Sequence, residues 1–193
     1  MTATPSPSQG WHPWHLPAMR AVPALVVGLP LPFIQLHSPI VGFIALIVLL
    51  AGTAAALWLG RSLVPAEAGR WPALAAAWTA LLALIAIVVA VLDASALALA
   101  VTVAAWAVPV GALELLGWSR MRTETEPRTL RLARDWRAAG VLTILLGVVF
   151  LFVRDAVTLT GLLGAYAVIA GVYHALAALS ARPARTTTER SEA

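Results

Sequence analysis

From Trp136 to Arg182 the chain reads as two long uncharged runs separated by a single charged dipeptide. Sixteen residues without charge, Ala138 to Val153, follow Trp136-Arg137. Arg154-Asp155 interrupts, and the next twenty-six residues carry no acid or base except His174. Runs of this length, like Trp71 to Leu92 earlier in the chain, approach or exceed the roughly 18 residues that mark a membrane-spanning helix. In hydrocarbon every backbone N–H and C=O must find a partner within its own segment, and barrel-type alternation is absent, so the runs predict helices. A two-residue break between them leaves room only for a tight turn. The unit is a helical hairpin suited to a bilayer.

Composition agrees. Of 193 residues, 61% are hydrophobic and 11% charged, with a mean hydropathy of +0.87. A soluble domain carries about 25% charged residues, so this chain cannot cover a surface with polar groups. All thirteen basic residues are arginine and there is no cysteine, which removes disulfides, thiolate metal sites and cysteine nucleophiles. The high pI does not point to nucleic acid. The arginines fall in short loops beside apolar helices, where they serve orientation.

The glycines repeat. Gly28, Gly42 and Gly52 recur 119 residues later as Gly147, Gly161 and Gly171, with spacings of 14 and 10 preserved. The middle of the chain follows less well. A shift of 60 pairs Gly171 with Gly111, while Gly147 and Gly161 fall on Ile87 and Val101. The plan of helix, short outer turn, helix and inner arginine nevertheless recurs three times. The expectation is an all-α membrane protein whose six transmembrane helices form three repeated helical hairpins, at 19–61, 71–118 and 136–182. Helix one is expected over about Met19 to Leu36 with Pro23, Pro30 and Pro32 inside it, and the others over Ile40–Gly60, Trp71–Leu92, Ala96–Trp118, Ala138–Val153 and the run after Asp155. Residues 1–18 and 183–193 read as disordered tails, with Trp11 and Trp14 resting at headgroup level and His12 and His15 as ordinary tail residues rather than metal ligands. The 61–70 loop carries Pro65, Glu67 and Gly69. A basic linker, 119–135, leads through Glu124, Glu126 and Asp135 to Trp136-Arg137, and 129–137 is expected as a short helix lying in the interface. Twelve of the thirteen arginines lie on the side of the termini and the two long loops, and Arg154 alone lies in a short turn. The positive-inside rule then places both termini in the cytoplasm.

These residues carry a resemblance. Trp136-Arg137-Ala138-Ala139-Gly140, Leu145-Leu146-Gly147-Val148, Gly161-Leu162-Leu163-Gly164-Ala165-Tyr166 and Ile169-Ala170-Gly171-Val172 resemble the repeat of the HdeD-type acid-resistance membrane proteins. The likeness is best over 136–182, fair over 20–61 and poor over 71–118. That family often has a proline in the outer turn. Pro39 matches it, while Asp93 and Asp155 stand in the other two turns. The resemblance implies residence in the bacterial inner membrane and a part in acid or envelope stress tolerance. It carries over no catalytic residue.

Gly28, Gly42, Gly52, Gly147, Gly161, Gly164 and Gly171 are expected to let helices approach closely, and Gly164, Ala167, Gly171, Ala175 and Ala178 form one small-residue face. Ionisable residues inside a membrane are costly and mark function. Glu114 and His174, 60 residues apart, each stand three residues after a glycine near the cytoplasmic end of a helix. They are expected either to meet as a pH-responsive pair or to snorkel separately. Asp93, Arg154 and Asp155 form a polar cluster of the outer turns, either bridged or simply solvated. Partners are the bilayer and anionic headgroups at the 119–137 linker, and no nucleic acid. No P-loop, GxSxG or HExxH motif is present, and neither an enzyme, a cofactor nor a metal is expected. The competing readings are a small transporter or channel using Thr53, Thr79, Thr102 and Thr143, and a structural or assembly protein.

Overall fold

The structure, a computed structural model, describes residues 14–64, 68, 70–123 and 127–181. The outermost parts of both tails, with Trp11 and His12, lie outside the described residues, as do Pro65, Glu67, Gly69, Glu124 and Glu126.

Six helices make up the described chain: α1 (His15–Gly28), α2 (Pro39–Gly60), α3 (Trp71–Leu92), α4 (Ala96–Met121), α5 (Pro127–Phe150) and α6 (Ala156–Ser180). Helix α1 is shorter at its end than expected. It carries Pro23 inside but stops before Pro30, whose ring lacks an N–H and crowds the preceding turn. A single 3₁₀ turn, Leu31–Phe33, follows and is closed by Phe33 N–H donating to Pro30 C=O at 3.0 Å. At its start α1 takes in residues assigned to the tail: His15 opens the helix, and its ring stacks on Trp14 at 3.9 Å. Helix α3 and the starts of α2, α4 and α6 fall where turn chemistry put them. Ser95 accepts from Ala98 N–H at 3.1 Å and Asp155 from Thr158 N–H at 2.8 Å, so each short turn supplies an N-cap.

Helix α5 differs most from expectation. No surface helix precedes it. Residues 129–137 are the first turns of α5 itself, because Pro127 starts the helix and nothing between Arg137 and Ala138 breaks it. This base is packed, not laid on a surface: Ala133 and Trp136 join Met121 and Ala68 in a small buried cluster.

Helices α2, α3, α4 and α6, and α1 with its 3₁₀ turn, are long and apolar enough to cross a membrane. A 22-residue helix such as α2 is about 33 Å long, against a hydrocarbon core of about 30 Å. Apolar side chains such as Phe33, Leu36, Val91, Leu92 and Phe152 cover the outer surface. The chain is a multi-pass, all-α membrane protein.

The even helices meet at the centre, where Phe43, Leu46, Leu99, Val103, Leu159 and Leu163 are buried. Each odd helix lies against two even ones: α1 on α6 and α2, α3 on α2 and α4, α5 on α4 and, much more loosely, on α6. Glycines set the closest approaches. A Cβ at Gly28 would stand 2.5 Å from Val168 N, and one at Gly147 would stand 3.2 Å from Val108 N. A Cβ at Gly171 would stand 3.1 Å from Leu25 N, and one at Gly111 would stand 3.0 Å from Ile144 N. In both comparisons the odd-helix positions differ by 119 and the even-helix positions by 60. Gly42 packs on Leu99 and Thr160, Gly52 on Pro23 and Gly164 on Leu31. Gly161 packs against nothing among the described residues. It faces open space, as its exposure shows. The tightest crossing of α4 and α5 instead uses Gly111 and Gly140, each facing the other's carbonyl.

The two ends of the bundle are chemically distinct. At the end holding the α1 and α5 starts, Arg61 lies 3.9 Å over the Trp58 ring, Arg70 5.4 Å from Trp71, and Arg122 and Arg137 flank Trp118 at 5.6 and 5.8 Å. Such arginine–tryptophan contacts suit a headgroup layer. The other end holds the short turns.

Candidate functional site

Glu114 lies seven residues before the end of α4 and is 1% exposed. It cannot snorkel. Its side chain points into the bundle and forms an ion pair with Arg20 of α1, itself buried. The pair reaches across the bundle between helices that share little other packing. Arg20 was counted among the arginines on the cytoplasmic side. It belongs to the interior instead, because five residues into α1 a side chain has passed about 7.5 Å along the axis.

The direct carboxylate–imidazole pair is not formed. No ion pair or hydrogen bond joins His174 to Glu114 among the described residues, and the Glu114 partner is Arg20. His174 is buried on α6 and shares a cavity wall with both. The cavity measures about 20 Å³ and is lined also by Thr53, Trp106, Thr143 and Tyr166. That volume holds one water. Arg20 Nε and Glu114 Oε2 have no hydrogen-bond partner among the described residues.

The rest of the wall is held in place by hydrogen bonds. Thr143 donates to Ala139 C=O at 2.8 Å, a bond within α5 that uses its one proton. The 2.9 Å contact between the Thr143 and Tyr166 hydroxyls therefore has tyrosine as donor. Tyr166 in turn meets Trp106 edge to face at 6.1 Å. Trp106 Nε1 donates to Thr79 Oγ1 at 3.3 Å, and Thr102 donates to Ala98 C=O at 2.7 Å. The four threonines do not form a stripe through the bilayer: Thr79, Thr102 and Thr143 are occupied by helix contacts, and Thr53 lines the cavity. Tyr173, one residue before His174, donates to Asp135 Oδ1 of α5 at 3.1 Å.

The outer-turn residues do not join into a cluster. No ion pair links Arg154 to Asp93 or Asp155 among the described residues. Asp93 accepts from the Ser95 hydroxyl at 3.1 Å, and Asp155 caps α6. The Thr158 backbone N–H, and then its hydroxyl, hold the Asp155 carboxyl below the usual carboxylate range.

No protein-family model, curated protein or solved structure matches the chain. The buried charges are the chain's most informative functional feature. Sequence reasoning took Glu114 and His174 and missed Arg20. The signal was present: Arg20 is the one arginine of α1, and Glu114 is the one acid of α4, whose other charge, Arg120, stands in the last turn.

Proposed function

We propose that the chain is a bacterial inner-membrane protein of the HdeD type that contributes to acid or envelope stress tolerance. In this reading α5 is the sixth span, the helices form three repeated hairpins, and both termini lie in the cytoplasm. The recurrence of the Gly28 and Gly171 contacts at Gly147 and Gly111 supports the repeat. The Arg20–Glu114 pair beside His174 is the proton-responsive centre.

The observation that carries this is an ion pair buried inside a lipid-facing bundle, next to a second ionisable side chain and room for one water. Charges in such a place are costly unless paired. Protonating Glu114 removes the negative partner and leaves Arg20 uncompensated, so acid acts directly on the ion pair that ties α1 to α4 across the bundle. The test is survival of an acid challenge by cells lacking the protein and complemented with wild type, Glu114→Gln or His174→Phe. Wild type restores survival and Glu114→Gln does not. Equal survival in all strains rules the reading out.

A further inference from the structure

The cavity beside the ion pair is continued by a second one of about 10 Å³, and both are walled by Arg20, Thr143, Tyr166, Ala170 and His174. The second adds Tyr173. It lies along the α5–α6 seam, the most loosely packed of the contacts between successive helices. At the arginine-rich end of this seam Tyr173 hydrogen-bonds Asp135, which is half-buried among the Arg131, Arg134 and Arg137 turns of α5. A line of protonatable groups thus runs inward from Asp135 to Tyr173, to His174 whose ring lies 5.7 Å from that of Tyr173, to the water-sized cavity and to Glu114 Oε2, which has no hydrogen-bond partner among the described residues.

We propose that the α5–α6 seam is a proton access path from the Asp135 surface to Glu114, completed by water bound in the cavity beside His174. The inference rests on the Arg20–Glu114 centre being proton-responsive, and adds the route and the order of groups. One proton from bulk water binds the Asp135 carboxylate. The Tyr173 hydroxyl accepts that proton from Asp135 and releases its own, through water in the second cavity that both residues line, to His174, which becomes imidazolium. The cavity water then receives that proton and gives one to Glu114 Oε2, returning His174 to neutral. The net change is one proton from solvent to Glu114, with no bond broken other than O–H and N–H. Helix α4 presents Glu114 and Trp106 to this path. Helix α1 presents Arg20 to this path, α6 presents Tyr166, Tyr173 and His174, and α5 presents Asp135 and Arg137. Helix α2 adds only Thr53, and α3 carries no ionisable side chain.

The experiment is infrared difference spectroscopy of the full chain in lipid nanodiscs, titrated with acid in H₂O and D₂O. A protonated-carboxyl band that is absent in Glu114→Gln is assigned to Glu114, and its deuterium exchange is timed. Exchange is expected to slow at least tenfold in Tyr173→Phe and in His174→Phe, and to stay unchanged in the outer-turn variant Asp93→Asn. Ala170→Val narrows both cavities without removing a polar group and is expected to slow exchange likewise, so the result does not hang on the polar variants folding. A Glu114 band that exchanges at the wild-type rate in Tyr173→Phe, His174→Phe and Ala170→Val overturns the route and leaves the proton-responsive centre standing. Absence of any Glu114 band while the protein stays folded overturns both.

Discussion

Arg20 and Glu114 show how little a single residue's position says until its partner is known. Each alone is a charge in an apolar helix, and each alone is expensive. Removing one partner by Arg20→Ala or Glu114→Ala leaves a buried uncompensated charge and is expected to cost about 3–5 kcal/mol. Replacing both, as Arg20→Ala with Glu114→Ala, removes the charges together and is expected to be less destabilising than either single change. Thermal unfolding of the three variants in detergent distinguishes this from simple cavity formation, in which the double variant would be worst. Asp155 is a residue-scale case with the opposite environment. It is exposed and depressed by its cap, so its folded pKa lies below the unfolded value of about 3.9. Its contribution to α6 is complete above about pH 4 and is lost as pH falls through the depressed value. Asn caps at every pH. The gap in Tm between wild type and Asp155→Asn is therefore expected to stay constant near neutrality and to shift against wild type in acid.

Among the elements, helix boundaries at the short turns were legible because local chemistry decides them. Ser95 and Asp155 are N-caps, and Pro39 and Pro127 occupy first turns. Helix α5 was misread because polarity was taken for a break. A helix stops at a change of backbone chemistry, and the string Thr129 to Arg137 contains no such change. Glycine spacing located most close approaches but not their partners. Gly161 fits the repeat yet touches nothing, while Gly111 and Gly140 make a crossing that neither one's local sequence announces. Gly111→Ala would push α4 from the Gly140 carbonyl, and overpacking of this kind costs about 1–3 kcal/mol. Gly161→Ala meets open space and gains helix propensity of about 1 kcal/mol. Denaturation in detergent should place these two variants on opposite sides of wild type. Equal destabilisation by both would contradict the packing described.

For the molecule as a whole, the arginine-rich end and the capped-turn end make a polarity that insertion machinery reads. With Arg20 moved to the interior, Arg61, Arg70, Arg120, Arg122, Arg131, Arg134 and Arg137 still stand at one end of the bundle among the described residues, against Arg154 at the other. Reporters fused to the two ends are therefore expected to be active on the same, cytoplasmic side. Activity on opposite sides would exclude an even number of spans. Membrane residence, all-helical structure and the placing of most turns were determined by the sequence alone, because hydrocarbon forces each backbone segment to satisfy itself and leaves the decision local. Which helices touch, which glycines are used and which charge meets Glu114 were decided only by the tertiary structure. Residues 94 positions apart become neighbours through packing, and packing depends on the shapes of all six helices at once.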